Sequence, residues 1–324
     1  MPQGARSHAQ YPDHGFDAAA LNSAITAGRM HKIIQAAETL QEQRLVAMST
    51  QINAKENNIR LVSIAGPSSS GKTTLSKRLA LELRRSGLNT FPLALDDYYL
   101  NRDHMPRNER GEIDFESPAA LNLERFNEDL ASLAAGEFVP LPQYNFKTGR
   151  SEGGKTVQLS QDTVVIIEGI HGLNPDLVQG IPSTSVFRVY VSPLSRVRLD
   201  HQSHVNPADT RLIRRIVRDV STRGYTAADT LQRWASVRHG ERQHIFPHKH
   251  RADVQFDSAH PYELAVLRPL VEPHLQMIAA ASSEYAEAQR LLSLLNWFQP
   301  FDTLAIPPHS IMREFVGNSS LAPV

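Results

Sequence analysis

The sequence predicts an α/β protein built on a doubly wound parallel sheet, and three observations carry that expectation. Short apolar runs, Leu61–Ala65, Thr90–Leu95, Thr163–Ile167, Val186–Val191 and Asp253–Phe256, each stop at small or acidic residues, as strands buried on both faces do. Segments of helical period lie between most of them, such as Thr73 to Arg85 closed by Gly87 and Asn122 to Ala135 closed by Gly136. That alternation places helices on both faces of one sheet. Finally, 324 residues leave room for one large domain with extensions.

Before the first strand, Leu21, Ile25, Met30, Ile33, Ile34 and Leu40 recur at helical spacing, so residues 1–59 read as a helical N-terminal extension. Residues 60–261 carry the α/β pattern, and residues 262–324 return to helical spacing and end in a proline-containing tail. Asn101 to Ser117 and Pro140 to Ser160 are rich in charge, Gly and Pro, and read as long loops of the kind that carry function.

Lys plus Arg and Asp plus Glu both total 34, so a chain dominated by attraction to nucleic acid or to an anionic membrane is excluded. The absence of cysteine removes disulfides, thiolate metal sites and cysteine nucleophiles. No apolar run approaches a signal core or a membrane span, and a cytoplasmic protein is the expectation. A homo-oligomer is left open.

Gly66-Pro-Ser-Ser-Ser-Gly71-Lys72-Thr73 fits the phosphate-binding pattern G-x-x-x-x-G-K-[ST], between a strand and a helix as that pattern requires. The fold expectation sharpens to a P-loop NTPase-type sheet. Small residues at Gly66, Ser68, Ser69, Ser70 and Gly71 let backbone N–H groups turn inward onto a polyphosphate, with Thr73 and Thr74 opening the helix behind them. Lys72 would bridge the β and γ phosphates of ATP and the Thr73 hydroxyl would ligate Mg2+. Switches, motors, ligases and kinases share this pattern, so the acceptor chemistry must come from elsewhere.

Ligands of open α/β sheets sit beyond the carboxyl ends of strands. Thr90–Leu95 runs into Asp96-Asp97, and Thr163–Ile167 runs into Glu168-Gly169-Ile170-His171. Transfer of a γ-phosphoryl to a hydroxyl needs a carboxylate near the acceptor proton, for which Asp96 is the candidate, and oxygen ligands for magnesium, for which Glu168 is. Either aspartate could instead cap the turn.

From Asp209 to Arg251 there are ten basic residues against four acids. At 100° per residue Arg211, Arg214, Arg215 and Arg218 share one helix face, opposite Leu212, Ile213, Ile216, Val217 and Val220. Such a face is either solvated, an RNA contact or, beside a phosphate cradle, a device that stabilises the transferring γ-phosphoryl. We expect the last. The histidines at 239, 244, 248 and 250 lack the accompanying acids of a zinc site.

Taken in order, Gly66 to Thr73, Leu95-Asp-Asp-Tyr-Tyr99, Phe115-Glu-Ser-Pro118, Tyr144-Asn-Phe146, Glu168-Gly-Ile170 and Asp209 to Asp219 resemble the uridine kinase and phosphoribulokinase family over about Arg60 to Ser258. The resemblance implies an ATP- and Mg2+-dependent kinase of a small-molecule acceptor, most similar to the uridine-cytidine kinases that act on the 5′-hydroxyl. It implies Asp96 as base, Thr73, Asp96 and Glu168 around magnesium, and Lys72, Arg214 and Arg218 as catalytic. On the acceptor side it implies Asp96, Tyr99, Glu116 for the ribose hydroxyls, Tyr144 for the nucleoside wall, and Arg211 in a phosphate-closing lid at about 199–225. Three departures are visible. Tyr144 to Arg150 lacks the family's base-reading histidine, the segment between Val191 and Asp209 is longer than in the plain uridine kinases, and Glu168-Gly-Ile-His-Gly172 echoes phosphoribulokinase, which keeps another sugar, sugar phosphate or polyol open as acceptor.

Overall fold

The computed structural model describes residues 17–54, 59–108, 111–179 and 181–321. The opening polar stretch and the last three residues of the tail lie outside them. Five parallel strands form one sheet in the order β2-β5-β1-β6-β7: β1 (Leu61–Ala65), β2 (Thr90–Ala94), β5 (Val164–Gly169), β6 (Val186–Ser192) and β7 (Val254–Asp257). Each lies within a residue or two of an apolar run in the sequence. The central strand β1 is buried at every position, and its carboxyl end delivers the chain into Gly66.

Helix α3 (Lys72–Arg85) follows the loop and buries Leu75, Leu79 and Leu83, spaced four apart, against the sheet. Helix α4 (Leu123–Ala135) starts where the Asn122 side chain accepts from Arg125 N–H and stops at Gly136, whose φ of 78° suits the left-handed cap. The stretch expected as a loop from Pro140 to Ser160 is instead a β-hairpin, β3 (Val139–Asn145) paired antiparallel with β4 (Arg150–Val157). Pro140 and Pro142 sit at a register irregularity, and β4 is exposed nearly throughout. Exposure removes the apolar alternation by which a strand is read.

The flanks are helical as expected, but they are not appendages. Helices α1 (Ala18–Thr26) and α2 (Met30–Asn53), separated at Gly28, share one continuous apolar core with α5 (Pro207–Arg218), α6 (Ala227–Gly240), α7 (Glu263–Gln276), α8 (Tyr285–Leu295) and the short α9 (Arg313–Val316). A buried polar knot joins them. Glu38 of α2 accepts from the Tyr262 hydroxyl at 2.6 Å and the Ser310 hydroxyl at 2.5 Å, and lies 3.3 Å from His260 Nε2. Burial alone would raise the Glu38 pKa, but these partners, His260 foremost, pull it down to about 2.

Candidate active site

The phosphate loop is held from both sides. A Cβ at Gly66 would stand 2.0 Å from the carbonyl oxygen of Val191, so only glycine lets the loop leave β1 against β6. Gly71 adopts φ 91° at the entry to α3. Helix α5 grips the loop through two carbonyls and a hydroxyl: Arg211 Nη1 donates to Ser68 O at 3.1 Å, Arg214 Nη1 to Ser69 O at 3.4 Å, and Arg215 Nη1 to the Ser68 hydroxyl at 2.9 Å. Binding the carbonyl side leaves the N–H side free to face an anion.

This grip corrects the expected lid face. Arg214 is 0% exposed, and its Nε donates to Glu263 at 2.6 Å while Nη2 donates to Ser258 O at 2.9 Å. Arg211 is buried too, forked onto Glu241. Arg215 and Arg218 both bind Asp219, which lies in the wider π-type turn Asp219–Arg223 that continues α5. The arginine face therefore meets buried carboxylates from the turn just after α6, from α7 and from the turn after α5, not open solvent over the γ-phosphoryl. Arg211 and Arg214 become residues that position the phosphate loop.

The chemistry-bearing side chains gather at the strand ends. Lys72 Nζ donates to Pro67 O at 3.2 Å, and the Thr73 hydroxyl donates to Glu168 Oε1 at 2.9 Å, Glu168 standing inside β5 one residue before its end. Asp96 and Asp97 share a 3-10 turn, Leu95–Tyr98, but divide their work. Asp97 accepts the Tyr144 N–H at 3.1 Å and so pins the hairpin, while the charge of Asp96 is felt by Glu168, Glu116, Tyr99 and Arg223. The buried Thr74 hydroxyl and N–H, expected at the polyphosphate, both donate to Glu314 of α9.

Three acids around one lysine repel each other. Burial, then Asp96, pushes Glu168 up to about 7 against the attraction of Lys72. Burial also carries Glu116 up to about 7, opposed by Arg215, and its Oε2 has no hydrogen-bond partner. The donor set of Thr73, Glu168 and Asp96 is all hard oxygen and suits magnesium. Among the described residues no group of three or more His, Cys, Asp or Glu could hold a metal by itself. Magnesium commonly takes one or two carboxylates and completes its shell with phosphate and water.

A stability consequence follows. For an acid whose folded pKa is raised above the 4.5 of an ordinary glutamate, the stabilisation is full at low pH and is lost as pH rises through about 7. Thermal unfolding of the nucleotide-free protein from pH 5 to 8 is expected to show Glu168→Gln/Glu116→Gln gaining on the parent as pH rises, with the difference levelling above about 7. The difference between the two proteins cancels other titrating groups, including His171, which burial holds neutral with its pKa lowered to about 3. A difference independent of pH would contradict the raised pKa values.

On the acceptor side, Tyr99, Phe115, Tyr144 and Phe146 form a cluster with ring centroids 5.0 to 6.2 Å apart. The Tyr99 hydroxyl donates to Phe115 O at 3.1 Å, and the Arg223 guanidinium lies 5.4 Å from the Phe146 ring. Glu116 reaches this region because Gly240 leaves space: a Cβ there would be 2.3 Å from Glu116 Cβ. Sequence reasoning passed over Phe146, Arg223 and Glu314 as site residues. Phe146 had a signal, since it is two residues from Tyr144 in one strand–turn segment. Glu314 had none.

A parallel sheet with a phosphate loop, a lysine and carboxylates at its strand ends defines a P-loop nucleotide enzyme. The description of the phosphoribulokinase / uridine kinase family matches residues 61–264, more than half of the chain, and this protein belongs to that family. The uridine kinase of Macrococcus caseolyticus is 29% identical over 195 residues, which cover 60% of this chain and 85% of that one. The uridine kinase of Vibrio cholerae is 30% identical over 204 residues, covering 62% and 88%. The match to a solved structure of a possible uridine kinase from Bacillus stearothermophilus covers 67% of this chain and 98% of that one at 24% identity, with a TM-score of 0.45. Membership of the family makes the chain a P-loop kinase of the nucleoside or sugar type. Among its described residues no helix is long and apolar enough to cross a membrane.

Proposed function

We propose that this protein transfers the γ-phosphoryl of ATP, with Mg2+, to the 5′-hydroxyl of uridine or cytidine in the cytoplasm. The observation that carries the reading is the half-buried Glu116 with a free Oε2 beside a four-ring aromatic cluster. A carboxylate of that kind accepts from vicinal ribose hydroxyls, and aromatic walls suit a planar base. Lys147, Arg150 and Lys155, which a sugar phosphate would call on, are exposed on the hairpin.

The roles follow from position. Lys72 balances charge on the β and γ phosphates, and the loop N–H groups hold them. Asp96 takes the proton of the attacking hydroxyl, and its charge acts on Glu168 and Glu116, the two carboxyls on which Lys72 also acts. Thr73, Asp96 and Glu168 are the residues that would hold magnesium, which supplies charge neutralisation between the phosphates. Asp97 and Tyr144 fix the hairpin that bounds the acceptor space.

Acceptor-dependent ADP formation tests the reading, with uridine, cytidine, their 2′-deoxy analogues, ribulose 5-phosphate and simple polyols offered in turn. Uridine or cytidine is expected to respond, the deoxy analogues to lose about 10²-fold or more in kcat/KM because Glu116 is left unpaired, and Glu116→Gln to raise the acceptor KM. A response to ribulose 5-phosphate alone would replace the nucleoside by a sugar phosphate.

A further inference from the structure

We propose that Glu314 is a gate on the nucleotide site: its carboxylate stands where a phosphate would bind at the first turn of α3, and a nucleotide triphosphate must displace it. The proposal rests on the reading of the loop as an ATP cradle and adds a control to it. Thr74 lies in the first turn of α3, directly after the lysine and threonine of the phosphate motif, and its N–H is one of the donors that a helix N-terminus leaves for an anion. That donor is taken. Glu314 Oε2 accepts from Thr74 N–H at 3.1 Å and from the Thr74 hydroxyl at 2.9 Å, across 240 residues of sequence. One oxygen of a carboxylate thus takes up both polar groups of a residue that a polyphosphate would use.

Two anions cannot share that pair of donors. Glu314 already adds to the negative charge felt by Glu168, and a triphosphate in the cradle would bring several more charges to the same place. Displacement asks only that the Glu314 side chain turn away. Arg313 donates to the carbonyls of Thr303 at 3.0 Å, Ile306 at 2.5 Å, Pro307 at 3.4 Å and Gly317 at 3.4 Å, and Ile311, Met312 and Phe315 are buried in the core, so the backbone on either side of Glu314 is anchored while its carboxylate is released.

Its movement would be felt elsewhere. Ile311 Cγ2 lies 2.6 Å from where a Cβ at Gly71 would stand, and the Phe315 ring lies 4.9 Å from the Arg214 guanidinium that grips Ser69. The C-terminal segment therefore touches the phosphate loop at its glycine, at its helix and through its arginine brace. Closing by Glu314 would keep the empty cradle neutralised and shaped, at the cost of affinity for the nucleotide.

Calorimetric titration of the full chain with inorganic triphosphate, a non-hydrolysable ATP analogue and adenosine tests this. Glu314→Ala is expected to bind triphosphate and the analogue about 10-fold tighter, with Glu314→Gln between it and the parent, because the competing charge is removed. Adenosine, which carries no phosphate, should bind all three proteins alike. In the parent, backbone amides of residues 307–317 should exchange faster with deuterium once triphosphate is bound. Unchanged or weaker triphosphate binding in both variants would overturn the gate while leaving the cradle in place. Failure of every protein to bind triphosphate would overturn the gate and the cradle together.

Discussion

Lys72→Ala is expected to lower phosphoryl transfer by about 10³-fold while the protein unfolds at close to the parent temperature. The argument is one of position. The ammonium is half-buried in the loop between Gly71 and Thr73 and donates to Pro67 O, a hydrogen bond whose net worth to folding is about 1 kcal/mol. Its charge acts elsewhere, on Glu168 and Glu116 and, when nucleotide is bound, on the phosphates that gain charge as the bond to the leaving oxygen stretches. ADP release with saturating acceptor measures the first effect and a thermal melt the second. Turnover within a few-fold of the parent would remove the loop from the chemistry.

Arg214→Ala is expected to act on the fold, destabilising it by about 3–5 kcal/mol, because it leaves the buried carboxylate of Glu263 without its cation. Urea unfolding of the single variant and of Arg214→Ala/Glu263→Ala separates the causes. The double variant should recover part of the loss, since the orphaned charge is gone, although Ser258 O still lacks its donor. A fall in kcat with unchanged urea unfolding would instead restore the arginine to the γ-phosphoryl.

The contrast between these two residues shows what the sequence could and could not carry. The phosphate motif is local: Gly66 to Thr73 are consecutive, and the strand before and helix after them are read from their own periodicity. The five sheet strands were legible for the same reason, since strands buried on both faces announce themselves as apolar runs. Helix α5 was legible as an amphipathic helix, but an arginine face has the same pattern whether it meets water, phosphate or buried carboxylates. Which of these applies depends on Glu241 and Glu263, and those lie 30 and 49 residues away from their partners.

The hairpin was missed for a different reason. Strand β4 buries almost nothing, and Gly153 and Gly154 within it are signals of a turn when read alone. Its pairing with β3 supplies what composition does not. Spacing assigns Asp96 to the chemistry but gives Asp97 no task of its own, and the contact that does, with Tyr144 N–H, spans 47 residues. The Thr74 to Glu314 contact was beyond any reading by spacing, since it joins a motif near the start of the sheet to a tail after its last helix pair.

The knot around Glu38 bears on what counts as the smallest autonomous unit of this protein. Residues 61–264 suffice to assign the family, yet the surface they would present if cut free includes the places where Tyr262, Asp257 and Arg78 now meet Glu38, Gln41 and Glu42 of α2. Leu264, at the end of that span, would lose the apolar cluster it shares with α8 and Phe298. Helix α2 and the C-terminal loop thus fasten to the same strand end, and they are expected to melt in one cooperative step with the sheet. Any exchange of segments between this protein and shorter members of its family has to carry α2 and the C-terminal loop across as a matched pair.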